Sequence, residues 1–84
     1  MTTSTTFDMS YPAADLDFYA REIAASRAGS VRCAATLRHC AGTLRCRAED
    51  EKAAAKRGKA HPLDWMPYWR AAEIVEEWAA ARAA

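Results

Sequence analysis

The sequence of 84 residues predicts an all-α fold, a small three-helix assembly with a long central helix. Apolar residues recur at spacings of three and four in three segments, which is the period of a helix face. Glycine and proline separate the segments, with Gly29 after the first and Gly58 and Pro62 between the second and the third. We expect residues 1–9 to be a flexible N-terminal segment and residues 10–84 to form a single helical domain.

The first and third helices follow from their stripes and from the residues at their ends. Residues 11–28 carry an apolar stripe that stops at Gly29, and Ser30 is expected to cap the second helix. The third helix is predicted over residues 65–81, because Pro67 fits a first helical turn. Its apolar arc is broad, so we expect it to contact two neighbours.

The second helix, predicted over residues 31–57, contains one heptad twice, RCAATLR at 32–38 and HCAGTLR at 39–45. If Leu37 and Leu44 face the core, the alanines at 34, 41, 48 and 55 form a seam that permits close helix approach and a homodimer through this helix. We predict that the helix continues through Gly42. Close packing against an aromatic ring is one role for this glycine, and the alternative to a continuous helix is that Gly42 ends one helix and Thr43 caps another.

Alanine occupies 21 positions and buries little area, so the core is expected to come from larger side chains. These are Leu16, Phe18, Tyr19, Ile23, Val31, Leu37, Leu44, Leu63, Trp65, Tyr68, Trp69, Ile74, Val75 and Trp78.

The residues that carry chemistry do not form a recognisable catalytic or metal site. Cys33 and Cys40 are seven positions apart, about 10 Å along a helix, which is too far for one zinc ion or for a disulfide. We expect both to be small packing residues. His39 points away from Cys40, and no phosphate loop or nucleophile motif is present. The sequence therefore predicts no enzyme, metal or cofactor.

The N-terminus lacks a basic start followed by an apolar run, and no stretch approaches 18 apolar residues. We expect a cytoplasmic protein that does not bind membranes. Its charge is unevenly distributed, because residues 29–60 hold eight bases and three acids, a net +5, between flanks of −2 each. Packing of the helices is expected to neutralise much of this division.

Two functions remain, and they use overlapping residues. A protein-binding surface is predicted from interface-type side chains at the start of the third helix and on the basic row of the second, namely Trp65, Met66, Tyr68, Trp69, Arg38 and Arg45. The alternative is an accessory protein that binds nucleic acid through the basic face of the second helix, with Arg32, Arg38, Arg45, Arg47, Lys52 and Lys59 along the phosphates.

We expect the partner to be another protein, including one that belongs to a nucleoprotein complex, and direct nucleic-acid binding to be the weaker hypothesis. Small size and the lack of catalytic groups are shared with regulators such as antitoxins and the anti-CRISPR inhibitors that phages make against host defence complexes. The expected role is therefore a regulator or inhibitor that docks on a larger protein complex. No residue motif identifies the partner.

Overall fold

A computed structural model describes residues 13–59 and 63–83, and these residues contain three helices. They are α1 (Ala13–Ala28), α2 (Ala34–Lys56) and α3 (Met66–Ala83). The described ranges contain no strand, and α2 is the longest helix at 23 residues. The predicted all-α assembly with a long central helix is confirmed. The predicted flexible segment 1–9 lies outside the described residues.

The third helix holds the assembly together, because α1 and α2 each pack against α3 and make few contacts with each other. Arg45 of α2 contacts Glu76 of α3, and Lys52 contacts Trp69, so the two helices run antiparallel. The broad apolar arc of α3 therefore has the two neighbours that its sequence predicts. Its fully buried positions are Ala71, Ala72, Ile74, Val75 and Ala79.

The core differs from the predicted one because alanine dominates it. Only four large side chains, Leu37, Leu44, Ile74 and Val75, are fully buried in the described chain. Alanines fill most of the remaining buried positions, because small side chains let helix backbones approach closely. They are Ala20, Ala24 and Ala28, here called the alanine stripe of α1, with Ala41, Ala48, Ala71, Ala72 and Ala79.

Two residues expected in the core, Phe18 and Tyr19, are 60% and 50% exposed. The alanine stripe faces α3, which turns both aromatic side chains towards solvent. Their assignment to the core was wrong. Periodicity alone did not show that alanines, and not aromatic rings, would form the buried side of α1.

Ser30 does not cap α2, contrary to expectation. The N-cap is Cys33, in an extended conformation with φ −84° and ψ 126°. The Val31 amide donates to the Ala28 carbonyl at 3.1 Å, and the Val31 side chain packs against the core. The link from Gly29 to Cys33 thus adds one half-buried apolar residue to the core before the helix begins.

The helix α2 continues through Gly42, as predicted, and ends at a glycine. A side chain at Gly42 would meet nothing within 4 Å, so packing of Gly42 against an aromatic ring is excluded. Gly58 has a φ of 73°, while its amide and that of Lys59 donate to the carbonyls of Ala55 and Ala54. This pattern is a Schellman motif, in which glycine avoids the strain that other residues suffer at positive φ.

The middle of the predicted alanine seam, Ala41 and Ala48, is buried within the chain, while Ala34 and Ala55 are half-buried. The buried residues of α2 are Leu37, Ala41, Leu44 and Ala48. The first three belong to the core cluster shared with α1 and α3. The predicted homodimer through the central helix stays a prediction. Within the described residues, no helix is both long and apolar enough to cross a bilayer.

Candidate protein-docking surface

Three cations of α2 lie over three aromatic rings at the start of α3. The guanidinium carbons of Arg45 and Arg47 lie 4.5 and 4.6 Å from the ring centroids of Trp69 and Tyr68. The Lys52 ammonium lies 4.5 Å from the Trp65 centroid. All three rings are half-buried, so each keeps an accessible part. We call the set Trp65, Tyr68, Trp69, Arg45, Arg47 and Lys52 the cation–aromatic cluster.

Arg45 is fixed from two sides within this cluster. Its Nε and Nη2 atoms donate to Glu76 Oε2 at 3.1 Å and to Oε1 at 2.6 Å, a bidentate pair. These hydrogen bonds raise the pKa of the Arg45 guanidinium above its usual value. The same guanidinium also lies over the Trp69 ring. The hydrogen bonds to Glu76 and the cation–π contact therefore hold the Arg45 side chain in one position.

Lys52 and Arg47 extend the cluster on both sides. The Lys52 ammonium also lies 5.8 Å from the Trp69 centroid, so it spans two rings. Arg47 Nε donates to Glu51 Oε2 at 2.9 Å while its guanidinium covers Tyr68. At the Lys52 end, an open groove of about 460 Å³ is lined by Glu49, Lys52, Ala53, Ala55, Lys56 and Trp65. The cluster thus adjoins a concave surface with both apolar and charged walls.

The structure brings together four of the six predicted protein-binding residues, Trp65, Tyr68, Trp69 and Arg45. Met66 begins α3 and is half-buried. Arg38 lies one heptad away from Arg45, about 10 Å along the helix axis. It is exposed, with no ion pair inside the described ranges, so it does not belong to the cluster.

The predicted nucleic-acid set is divided. Arg45, Arg47 and Lys52 are held over aromatic rings. Arg32, Arg38 and Lys59 are exposed. The middle residues of the predicted set therefore contact aromatic rings of the same chain. Arg38 and Lys59, on either side of them, remain exposed for contact with phosphates.

Sequence reasoning missed the pairing between the basic row and the aromatic residues. It assigned Arg47 and Lys52 only to the nucleic-acid alternative and did not select Glu76. The available signal was the acidic charge of residues 61–84 opposite the basic second helix. Antiparallel packing brings these charges together across 31 residues of sequence.

A second ionic cluster joins α1 to α3. Arg70 donates to Asp17 at 3.0 Å and to Glu73 at 3.1 Å, and Arg21 lies 3.4 Å from Asp17. The hydrogen bond from Arg70 is the main reason that the pKa of Asp17 lies below its usual value. These charges are all partly exposed, so the cluster orients α1 more than it stabilises the fold.

The cysteines have three different environments. Cys40 is half-buried and packs against the core, whereas Cys33 and Cys46 are exposed. The expectation that Cys33 is a packing residue was wrong, because Cys33 is the N-cap residue of α2. The Cys33 side chain makes no capping hydrogen bond. The nearby amide and hydroxyl of Thr36 and the amide of Ala35 nevertheless lower the pKa of its thiol.

Among the residues that the structure describes, no three His, Cys, Asp or Glu side chains gather as they would around a metal ion. Comparison with models of known protein families, with curated proteins and with solved structures found no match.

Proposed function

We propose that the chain is a non-enzymatic protein-docking module that binds its partner through the cation–aromatic cluster. The observation that carries this proposal is the stacking of Arg45, Arg47 and Lys52 on three half-buried aromatic rings. Tryptophan, tyrosine and arginine are the side chains that most often dominate the binding energy of protein interfaces.

The geometry favours binding because the surface is ordered in advance. Immobilising a long side chain at an interface costs about 0.5–1.5 kcal/mol. Arg45 is already held by Glu76 and by the Trp69 ring. A partner that binds this surface therefore loses less free energy to the ordering of side chains. The groove beside Trp65 offers a place for an anchoring side chain of the partner.

A regulator or inhibitor that docks on a larger protein complex is the specific form of this proposal. Binding of nucleic acid is the competing function, and it would use the exposed Arg32, Arg38 and Lys59. The engagement of Arg45 and Lys52 inside the molecule favours the protein partner over the phosphate backbone.

The test begins with capture of partners from host lysate, with and without nuclease. The captured protein is then purified, and its affinity is measured for the wild type, Trp65→Ala and Trp69→Ala. We expect at least one variant to bind about 30-fold more weakly, which corresponds to about 2 kcal/mol. Circular dichroism checks that the helix content is retained.

The matched control is the double variant Arg57→Gln and Lys59→Gln, which removes two exposed charges outside the cluster. It should bind as the wild type does. Loss of all partners after nuclease treatment, with an affinity for bare duplex that falls steeply with salt, would replace this proposal with the nucleic-acid function. Equal losses in the control and the tryptophan variants would also contradict it.

A further inference from the structure

The solvent side of α1 carries an aromatic pair between two carboxylates. Phe18 and Tyr19 form an edge-to-face pair with ring centroids 5.4 Å apart, and they are the exposed large hydrophobic residues of the described chain. Asp15 and Glu22 flank them and are also exposed. We call these four residues the outer face of α1, since they lie opposite the alanine stripe.

The spacing of the outer face suits a second helix laid along α1. Positions 15, 18, 19 and 22 follow the i, i+3, i+4, i+7 pattern by which helices present anchors to a partner. The exposed Ala25 and Ser26 continue the same side by one turn, and their small side chains permit close approach. The outer face therefore has heptad spacing although no helix within the described residues covers it.

The charges of this face determine which kind of helix fits. Asp17 is paired with Arg21 and Arg70, whereas neither Asp15 nor Glu22 has an ion-pair partner in the described part of the chain. A second copy would place like charges opposite each other in either direction. Parallel helices bring residue 15 to 15 and 22 to 22, and antiparallel helices centred on this face bring 15 to 22. Like charges at such positions are destabilising, so the face favours a partner with basic residues.

We propose that the outer face of α1 docks a basic amphipathic helix of another protein. Phe18 and Tyr19 contact the apolar side of that helix, and Asp15 and Glu22 pair with its lysines or arginines. The surface belongs to α1 alone and does not include the cation–aromatic cluster. The inference therefore goes beyond the function proposed above and can fail or hold independently of it.

The test uses two synthetic peptides of about three heptads, each with leucine at positions a and d. One carries lysine at e and g, and the other carries glutamate there, so that like charges keep each peptide from pairing with itself. Fluorescence anisotropy of the labelled peptide is followed while the full chain is added at two salt concentrations. We expect the lysine peptide to bind, more weakly at the higher salt, and the glutamate peptide not to bind.

The variants locate the binding. Phe18→Ala with Tyr19→Ala should weaken the lysine peptide at least tenfold, and Asp15→Asn with Glu22→Gln should weaken it and reduce its salt dependence. The matched control, Glu49→Gln with Asp50→Asn, removes two exposed carboxylates of α2 and should leave binding unchanged. Trp65→Ala should also leave it unchanged, which separates this proposal from the function proposed above.

Three results would overturn the proposal. The first is equal binding of both peptides, or an equal effect of the control and the α1 variants. The second is a homodimer in light scattering that Phe18→Ala with Tyr19→Ala dissociates, because the occupant is then a second copy. The third is a fall in Tm of more than about 8 °C in that aromatic variant without peptide, because each exposed side chain should shift it by less than about 4 °C. A larger fall would mean that the chain itself covers the pair.

Discussion

The two copies of the heptad, residues 32–38 and 39–45, are nearly identical in sequence but not in surroundings. Leu37 and Leu44 are both fully buried. Arg45, however, is bound to Glu76 and stacked on Trp69, while Arg38 is exposed and has no ion pair within the described ranges. The repeat therefore predicts which residues of α2 are buried. The contacts of its more exposed residues depend on which residues of α3 lie opposite them.

The register of α2 against α3 explains the difference. Arg45 lies opposite Glu76. Because the helices are antiparallel, Arg38, seven residues before Arg45, lies opposite position 83, in the last turn of α3. The sequence from Trp78 to Ala84 contains no aspartate or glutamate. Arg38 therefore has no acidic side chain opposite it on α3, although it occupies the same heptad position as Arg45.

The largest effect should be the same in both copies. Leu37→Ala and Leu44→Ala should each lower the free energy of unfolding by about 2–5 kcal/mol, because each leaves a cavity in a core with few large side chains. Urea denaturation followed by circular dichroism measures both. A loss below about 1 kcal/mol in one variant would show that the two copies are not equally buried.

The arginines should differ where the leucines agree. Arg45→Ala should cost about 1 kcal/mol of unfolding free energy, since Arg45 is partly exposed and its ion pair is screened by solvent. Arg38→Ala should cost less than about 0.5 kcal/mol. A double-mutant cycle of Arg45 with Glu76→Gln isolates the ion pair, and zero coupling would contradict a structural role for it.

The glycine of the second copy can be made like the first, which has Ala35 at the equivalent position. Gly42→Ala should stabilise the protein by about 0.5–1 kcal/mol, because the position is helical and open to solvent. Gly58→Ala is the control of opposite sign, since its positive φ makes alanine unfavourable by about 1 kcal/mol. Thermal unfolding of the two variants should shift in opposite directions.

The smallest difference concerns the reactivity of the two cysteines. The pKa of Cys33 is lowered, so more of its reactive thiolate is present near neutral pH than at an ordinary cysteine, while Cys40 is half-buried. Variants that retain only Cys33 or only Cys40 should be alkylated at different rates, with Cys33 faster. The pH at which the Cys33 rate reaches half of its maximum should also lie below 9.0, the usual pKa of the thiol. Equal rates in the folded protein would contradict the assignment.

The sequence predicted the parts of the molecule that depend on local spacing. The heptad identified Leu37, Ala41, Leu44 and Ala48 as the inward side of α2, and Gly58 marked its end. Contacts between distant segments were not predictable in the same way. The cation–aromatic cluster depends on the register of two helices, and the exposure of Phe18 depends on which side of α1 faces α3.

The attachment of α1 has a consequence for how the molecule opens. Its alanine stripe buries little apolar area against α3, and its few contacts with α2 add little more. Regions that bury little apolar area open as cooperative units at a lower free energy than the rest of the fold. The amide hydrogens of α1 should therefore exchange with deuterated solvent before those of α2 and α3, and a helix bound to the outer face of α1 should slow that exchange.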